Sequence, residues 1–134
     1  MTAPLPRILL VEPQFVLRRT MAMVARDLGM VNFHEASSVG RACTLLASEA
    51  YEGLVLDLQE GPQAMELLGD LRQGRFPTPR DVRVVVLAAA STPVDAERLQ
   101  VLGVARVMGK PVRISDLLGA ITEAQAPGAA VPGG

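Results

Sequence analysis

The chain has 134 residues, enough for one domain with a sizeable core and too few for two. It is 49% hydrophobic but only 3% aromatic, so the core must be built from Val, Leu, Ala, Ile and Met, a composition suited to strands and helices packed in layers. Acids and bases nearly cancel at a formal net charge of -1 and the arginines are scattered, which argues against nucleic acid or an anionic membrane as a partner.

Cys43 is the single cysteine, so no internal disulfide forms. No apolar run reaches membrane-spanning length, and the opening "MTAPLPR" lacks the apolar core of a secretory signal. The expected location is the cytoplasm.

In chain order, "RILLV" (7 to 11) is an apolar run of strand length. It is followed by Leu17, Met21, Val24 and Leu28, which recur at helical spacing before Gly29 supplies a stop. Pro13, with its fixed φ and no amide proton, suits the first position of that helix. "VNFHEA" is a weaker second strand. Ser37 or Ser38 can then cap a helix with Cys43, Leu46 and Ala50 inward.

"GLVLDL" (53 to 58) is the third strand, and Pro62 opens a helix with Ala64, Leu67, Leu68 and Leu71 on one face. "VRVVVLAAA" is the most β-branched run and hence the best central strand. "STPVDAERLQVLG" reads as a helix capped by Ser or Thr with Pro93 at its start. "ARVMG" is the fifth strand, and Ile114, Leu117, Leu118 and Ile121 mark the last helix. A domain over residues 1–125 is expected, with 126–134 as a flexible tail.

Strands alternating with helices predict an α/β doubly wound parallel sheet of five strands covered by five helices on both faces. In such sheets the working site lies beyond the carboxyl ends of the strands. Four of those ends carry specific chemistry: Glu12, Asp57, Ala88 and Lys110. Lys110 is the only lysine beside twelve arginines.

An acid after the first strand, the Asp of "LVLD" and a Lys-Pro after the fifth strand, spaced by 45 and 53 residues, resemble the receiver domain of two-component response regulators over residues 7 to about 123. The resemblance implies a flavodoxin-like sheet in the order 2-1-3-4-5. It makes Asp57 the phosphoacceptor, Lys110 the phosphoryl contact and the Lys110-Pro111 bond cis. It also implies magnesium held by Glu12, Asp57 and the backbone carbonyl of Gln59. Apart from the resemblance, Glu60 stands close enough in the chain to swing in as a reserve acid.

The departures are as specific as the matches. Pro13 stands where the family usually carries a second acid, so magnesium binding is expected to be weak. Ala88 occupies the position of the switch hydroxyl and Val107 that of the switch aromatic, so the coupled movement of a standard receiver lacks both parts.

The expected function is a stand-alone atypical receiver in a phosphorelay, a signalling module and not an enzyme. Its expected partners are a histidine kinase or histidine phosphotransfer protein, and a downstream protein docking on the face of helix four, strand five and helix five. The alternative is a phosphorylation-independent adaptor. A nucleotide-binding or hydrolytic enzyme lacks its motifs: no Gly-rich loop follows the first strand and no Ser, His and Asp set is present. His34 reads as an edge residue, Cys43 as small helix core, and Arg18-Arg19 as the solvated side of helix one.

Overall fold

The computed structural model describes residues 4–123, so the tail expected over 126–134 lies outside the described residues. Among the described residues are five strands: β1 (Arg7–Val11), β2 (Asn32–Ala36), β3 (Gly53–Asp57), β4 (Arg83–Ala88) and β5 (Arg106–Gly109). Between and after them run α1 (Phe15–Asp27), α2 (Val39–Ser48), α3 (Pro62–Arg72), α4 (Ala96–Val101) and α5 (Ile114–Thr122), with a short 3-10 turn at Leu58–Glu60. All four strand pairings are parallel, as the alternation of strands and helices predicts, and the order is β2-β1-β3-β4-β5, the one the resemblance implies.

The period of two along each strand sorts the apolar residues into two cores. Leu9, Val11, Leu54, Leu56, Val84 and Val86 face α2, α3 and Leu99 of α4. Ile8, Leu10, Val55, Val85 and Leu87 face α1 and α5. Continued past the strand ends, the same alternation carries Glu12, Asp57 and Lys110 to the α1/α5 side. Ala88 instead belongs to the α2/α3 core, 7% exposed.

Several local expectations shift. Helix α1 begins at Phe15 with Gln14 as its cap, two residues after Pro13, because the Glu12 carboxylate accepts the Gln14 amide and holds the chain in a bend first. Its buried face is Arg18, Met21, Ala22 and Ala25, while Leu28 lies beyond the helix end and is exposed. Helix α2 buries Val39, Ala42 and Leu46, with Cys43 half-buried and Ala50 past its end. Ser38 is the cap, its hydroxyl accepting the Arg41 amide. Helix α4 is capped by Asp95, whose carboxylate accepts the Arg98 amide, and not by Ser91 or Thr92; Pro93 precedes the helix. Pro62 opens α3 as expected, and Gly29, at φ +66, follows α1.

Arg72 at the end of α3 ties two loops together. Its guanidinium donates to the carbonyls of Arg80, Val82, Leu102 and Gly103, which anchors the approach to β4 and the exit from α4. At the start of β3, on the same edge of the sheet, a β-carbon on Gly53 would lie 2.7 Å from Ile8 Cδ1 and 3.2 Å from Ile121 Cδ1. There β1 and α5 close over the strand too tightly for any side chain. Gly53→Ala is therefore expected to lower unfolding free energy by about 1–3 kcal/mol, read as a fall in the denaturant midpoint with the slope unchanged.

Candidate functional site

The register of the sheet brings the chemistry to one edge. Val11 pairs with Leu56 and Asp57 pairs with Leu87, so Glu12 and Asp57 leave adjacent strands at the same level. Ala88 pairs with Gly109, and the Lys110 amide donates to the Ala88 carbonyl at 3.0 Å, which starts Lys110 beside them. The Lys110-Pro111 peptide is cis.

Lys110 Nζ donates to Asp57 Oδ2 at 2.7 Å and to Glu12 Oε1 at 2.9 Å. Glu12 is fully buried and Asp57 nearly so, so this ammonium is the counter-charge for two carboxylates that water scarcely reaches. The remaining oxygens are also engaged: Asp57 Oδ1 accepts the Gln59 amide at 2.8 Å, and Glu12 Oε2 accepts the Gln14 amide at 3.0 Å. Burial pulls the Lys110 pKa down, but hydrogen bonds and opposite charges from Asp57 and Glu12 outweigh it and leave it raised.

Beside this ion pair an open cleft of about 420 Å³ is lined by Gln14, Asp57, Gln59, Thr92, Lys110 and Pro111, among others. Asp57 and Lys110 therefore border the cleft, with Glu12 behind them. Ala88, in the α2/α3 core, brings no polar atom to it, and Val107 is 48% exposed on β5.

Arg18 and Glu60 stand differently from the sequence expectation. Arg18 is buried; it donates to the Glu12 main-chain carbonyl at 2.9 Å and to Glu35 at 3.1 Å, and Arg19 joins the same Glu35 carboxylate at 2.7 Å. The inward phase of Met21, Ala22 and Ala25 was the available signal, because position 18 falls on that face. Glu60 is turned away from the site, its carboxylate accepting the Val39 amide at the start of α2 at 2.7 Å. It does not serve as a reserve acid in this arrangement. His34 is half-buried on edge strand β2 and packs edge-on to Tyr51.

Among the described residues no three His, Cys, Asp or Glu side chains gather into a metal cluster. Glu12 and Asp57 do present oxygens to a common edge, where a hydrated divalent ion could share them with Lys110. The donor set fits such an ion as a weakly held one, since the ammonium already offsets one of the two negative charges.

No known family model and no curated protein matches the sequence. Solved structures do match the fold. A response regulator receiver domain protein from Methanospirillum hungatei JF-1 is similar with a TM-score of 0.76 at 19% identity, covering 89% of this chain and 92% of that one. A response regulator from Thermotoga maritima is similar with a TM-score of 0.69 at 23% identity, covering 88% and 98%. A response regulator protein from Burkholderia pseudomallei, solved with a phosphorylated aspartic acid, a calcium ion and citrate, gives 0.72 at 21% identity, covering 88% and 67%. The chain has the flavodoxin-like fold of response regulator receiver domains.

Two outcomes test the site. Lys110→Met keeps the stem but leaves two buried carboxylates without their cation, and is expected to cost about 3 kcal/mol in chemical denaturation. Because the Lys110 pKa is raised on folding, the stability it contributes is complete below the ordinary value of 10.5 and is lost as pH climbs through the raised one. The natural chain should therefore show an alkaline loss above 10.5 that the Met variant lacks.

Pro13→Asp adds an acid beside Glu12. A unit charge about 4 Å from a divalent ion in a water-like medium is worth ~2 kcal/mol, so magnesium affinity by calorimetry should rise about thirtyfold.

Proposed function

We propose that this chain is an atypical receiver module of a phosphorelay, accepting a phosphoryl group on Asp57 and signalling by protein contact. The observation that carries the reading is the contact of Asp57, bordering an open cleft, with the only lysine in the sequence at 2.7 Å. Receiver folds among the matched structures support it, as does the phosphorylated aspartic acid described for the Burkholderia pseudomallei protein.

In the proposed step an Asp57 carboxylate oxygen attacks the phosphorus of a phosphohistidine on a histidine kinase or phosphotransfer protein. The new P–O bond forms as the P–N bond breaks, and the imidazole leaves with that electron pair. Lys110 moves from carboxylate to phosphoryl oxygens, supplying a compact positive charge where negative charge gathers. The Gln59 amide holds Oδ1 and fixes the carboxylate plane. Glu12, Asp57 and the Gln59 carbonyl would hold magnesium weakly, and the ion when bound would neutralise charge on the transferring group.

Output is assigned to the face of α4, β5 and α5, where Val101 and Val107 are exposed. No described helix is long and apolar enough to cross a membrane.

A second reading is a constitutive adaptor that never takes a phosphoryl group. It is favoured by the way Lys110 bridges both acids, which balances much of the charge of the pocket from within the chain. The two readings separate in one experiment. With a small phosphodonor and magnesium, intact-mass measurement should record one added base-labile phosphoryl group, and Asp57→Asn should abolish it. No mass gain in the natural chain at millimolar donor and metal would overturn the acceptor reading and favour the adaptor.

A further inference from the structure

Ala88 leaves the end of β4 without a hydroxyl, and the chain beyond it lines the cleft at Ala89 and again at Thr92. The loop after β4 folds back in a turn in which the Thr92 amide donates to the Ala89 carbonyl at 3.0 Å. Thr92, half-buried there, lines the same cleft as Asp57 and Lys110. Its neighbour Ser91 is exposed and does not line the cleft, which makes Thr92 the one Ser or Thr among the described lining residues.

A group bound on Asp57 would project into this space. It would bring several anionic oxygens, of which the single Lys110 ammonium cannot satisfy all. A hydroxyl suits the remainder, since its proton rotates to meet whichever oxygen arrives. We propose that Thr92 supplies the hydroxyl hydrogen bond to the phosphoryl group on Asp57, taking from the β4–α4 loop the role that Ala88 cannot fill.

This rests on the reading of Asp57 as acceptor and adds a route outward from it. Thr92 is joined through Pro93 and Val94 to Asp95, the cap of α4. Residues 93–98 form one wall of a second groove, about 620 Å³, whose other wall includes Leu58, Pro62 and Met65. Drawing Thr92 toward the phosphoryl group pulls on that wall through a tether of two residues, one of them a stiff proline. The contact thus reaches α4 without a hydroxyl on β4 or an aromatic on β5.

The test uses the full chain with Thr92→Val, which keeps the shape and removes the hydroxyl, and Thr92→Ser, which keeps the hydroxyl. With phosphoramidate and magnesium, Thr92→Val is expected to take up phosphoryl about tenfold more slowly than the natural chain, the loss of one hydrogen bond to a charged group, while Thr92→Ser stays near the natural rate. Beryllium fluoride should shift the amide resonances of residues 94–98 in the natural and Ser proteins but not in the Val protein. If the natural chain is phosphorylated and Thr92→Val matches it in both rate and shifts, the role of Thr92 is refuted while Asp57 remains the acceptor. If the natural chain takes up no phosphoryl group, both fall together.

Discussion

One ammonium between two buried carboxylates is the constraint to which the working end of this molecule answers. Glu12 and Asp57 lose nearly all contact with water on folding, and a pair of close negative charges in that position is tolerable only with a cation against both. Lys110 meets that need because the parallel register delivers the ends of β1, β3 and β5 to one side of the sheet. The same geometry that stabilises the fold poses the chemistry. The carboxylate proposed as nucleophile rests in an ion pair, and any incoming phosphoryl group must draw the lysine from carboxylate to phosphate.

The supporting contacts explain why the acids stay where they are. Each carboxylate accepts a backbone amide two residues along the chain, Gln14 for Glu12 and Gln59 for Asp57, so neither can swing freely. Arg18 grips the Glu12 carbonyl from α1 and is itself oriented by Glu35 on β2, which ties the first strand end to its neighbours in the sheet and in the helix layer. Glu60 is used elsewhere, closing the start of α2. The local acids thus divide between the site and the scaffold, and the division follows from which backbone amides each one reaches.

Three positions leave the site sparing in polar groups. Pro13 adds no charge beside Glu12, so one lysine stands against two acids. Ala88 brings no polar side-chain atom to the end of β4, and Val107 brings no aromatic ring to β5. The loop from Ala89 to Asp95 turns toward the cleft at Thr92, and its far end starts α4.

The sequence by itself determined the α/β class, the five strands, the strand order through the resemblance, and the ends at which Glu12, Asp57 and Lys110 stand. It could do so because buried parallel strands are short unbroken apolar runs, and because alternation with helices restricts the winding. Tertiary structure alone decided the rest. Arg18 lies inward because α1 packs through small alanines, a phase that the larger residues Leu17, Val24 and Leu28 disguised. Asp95 rather than Ser91 or Thr92 caps α4, because the preceding turn carries the chain back over the cleft before the helix begins. Hydrophobic period reports which side of a strand or helix is buried. The path of a loop and the partner of a polar side chain are set by backbone amides and carbonyls far apart in sequence, and these meet only when the sheet has closed.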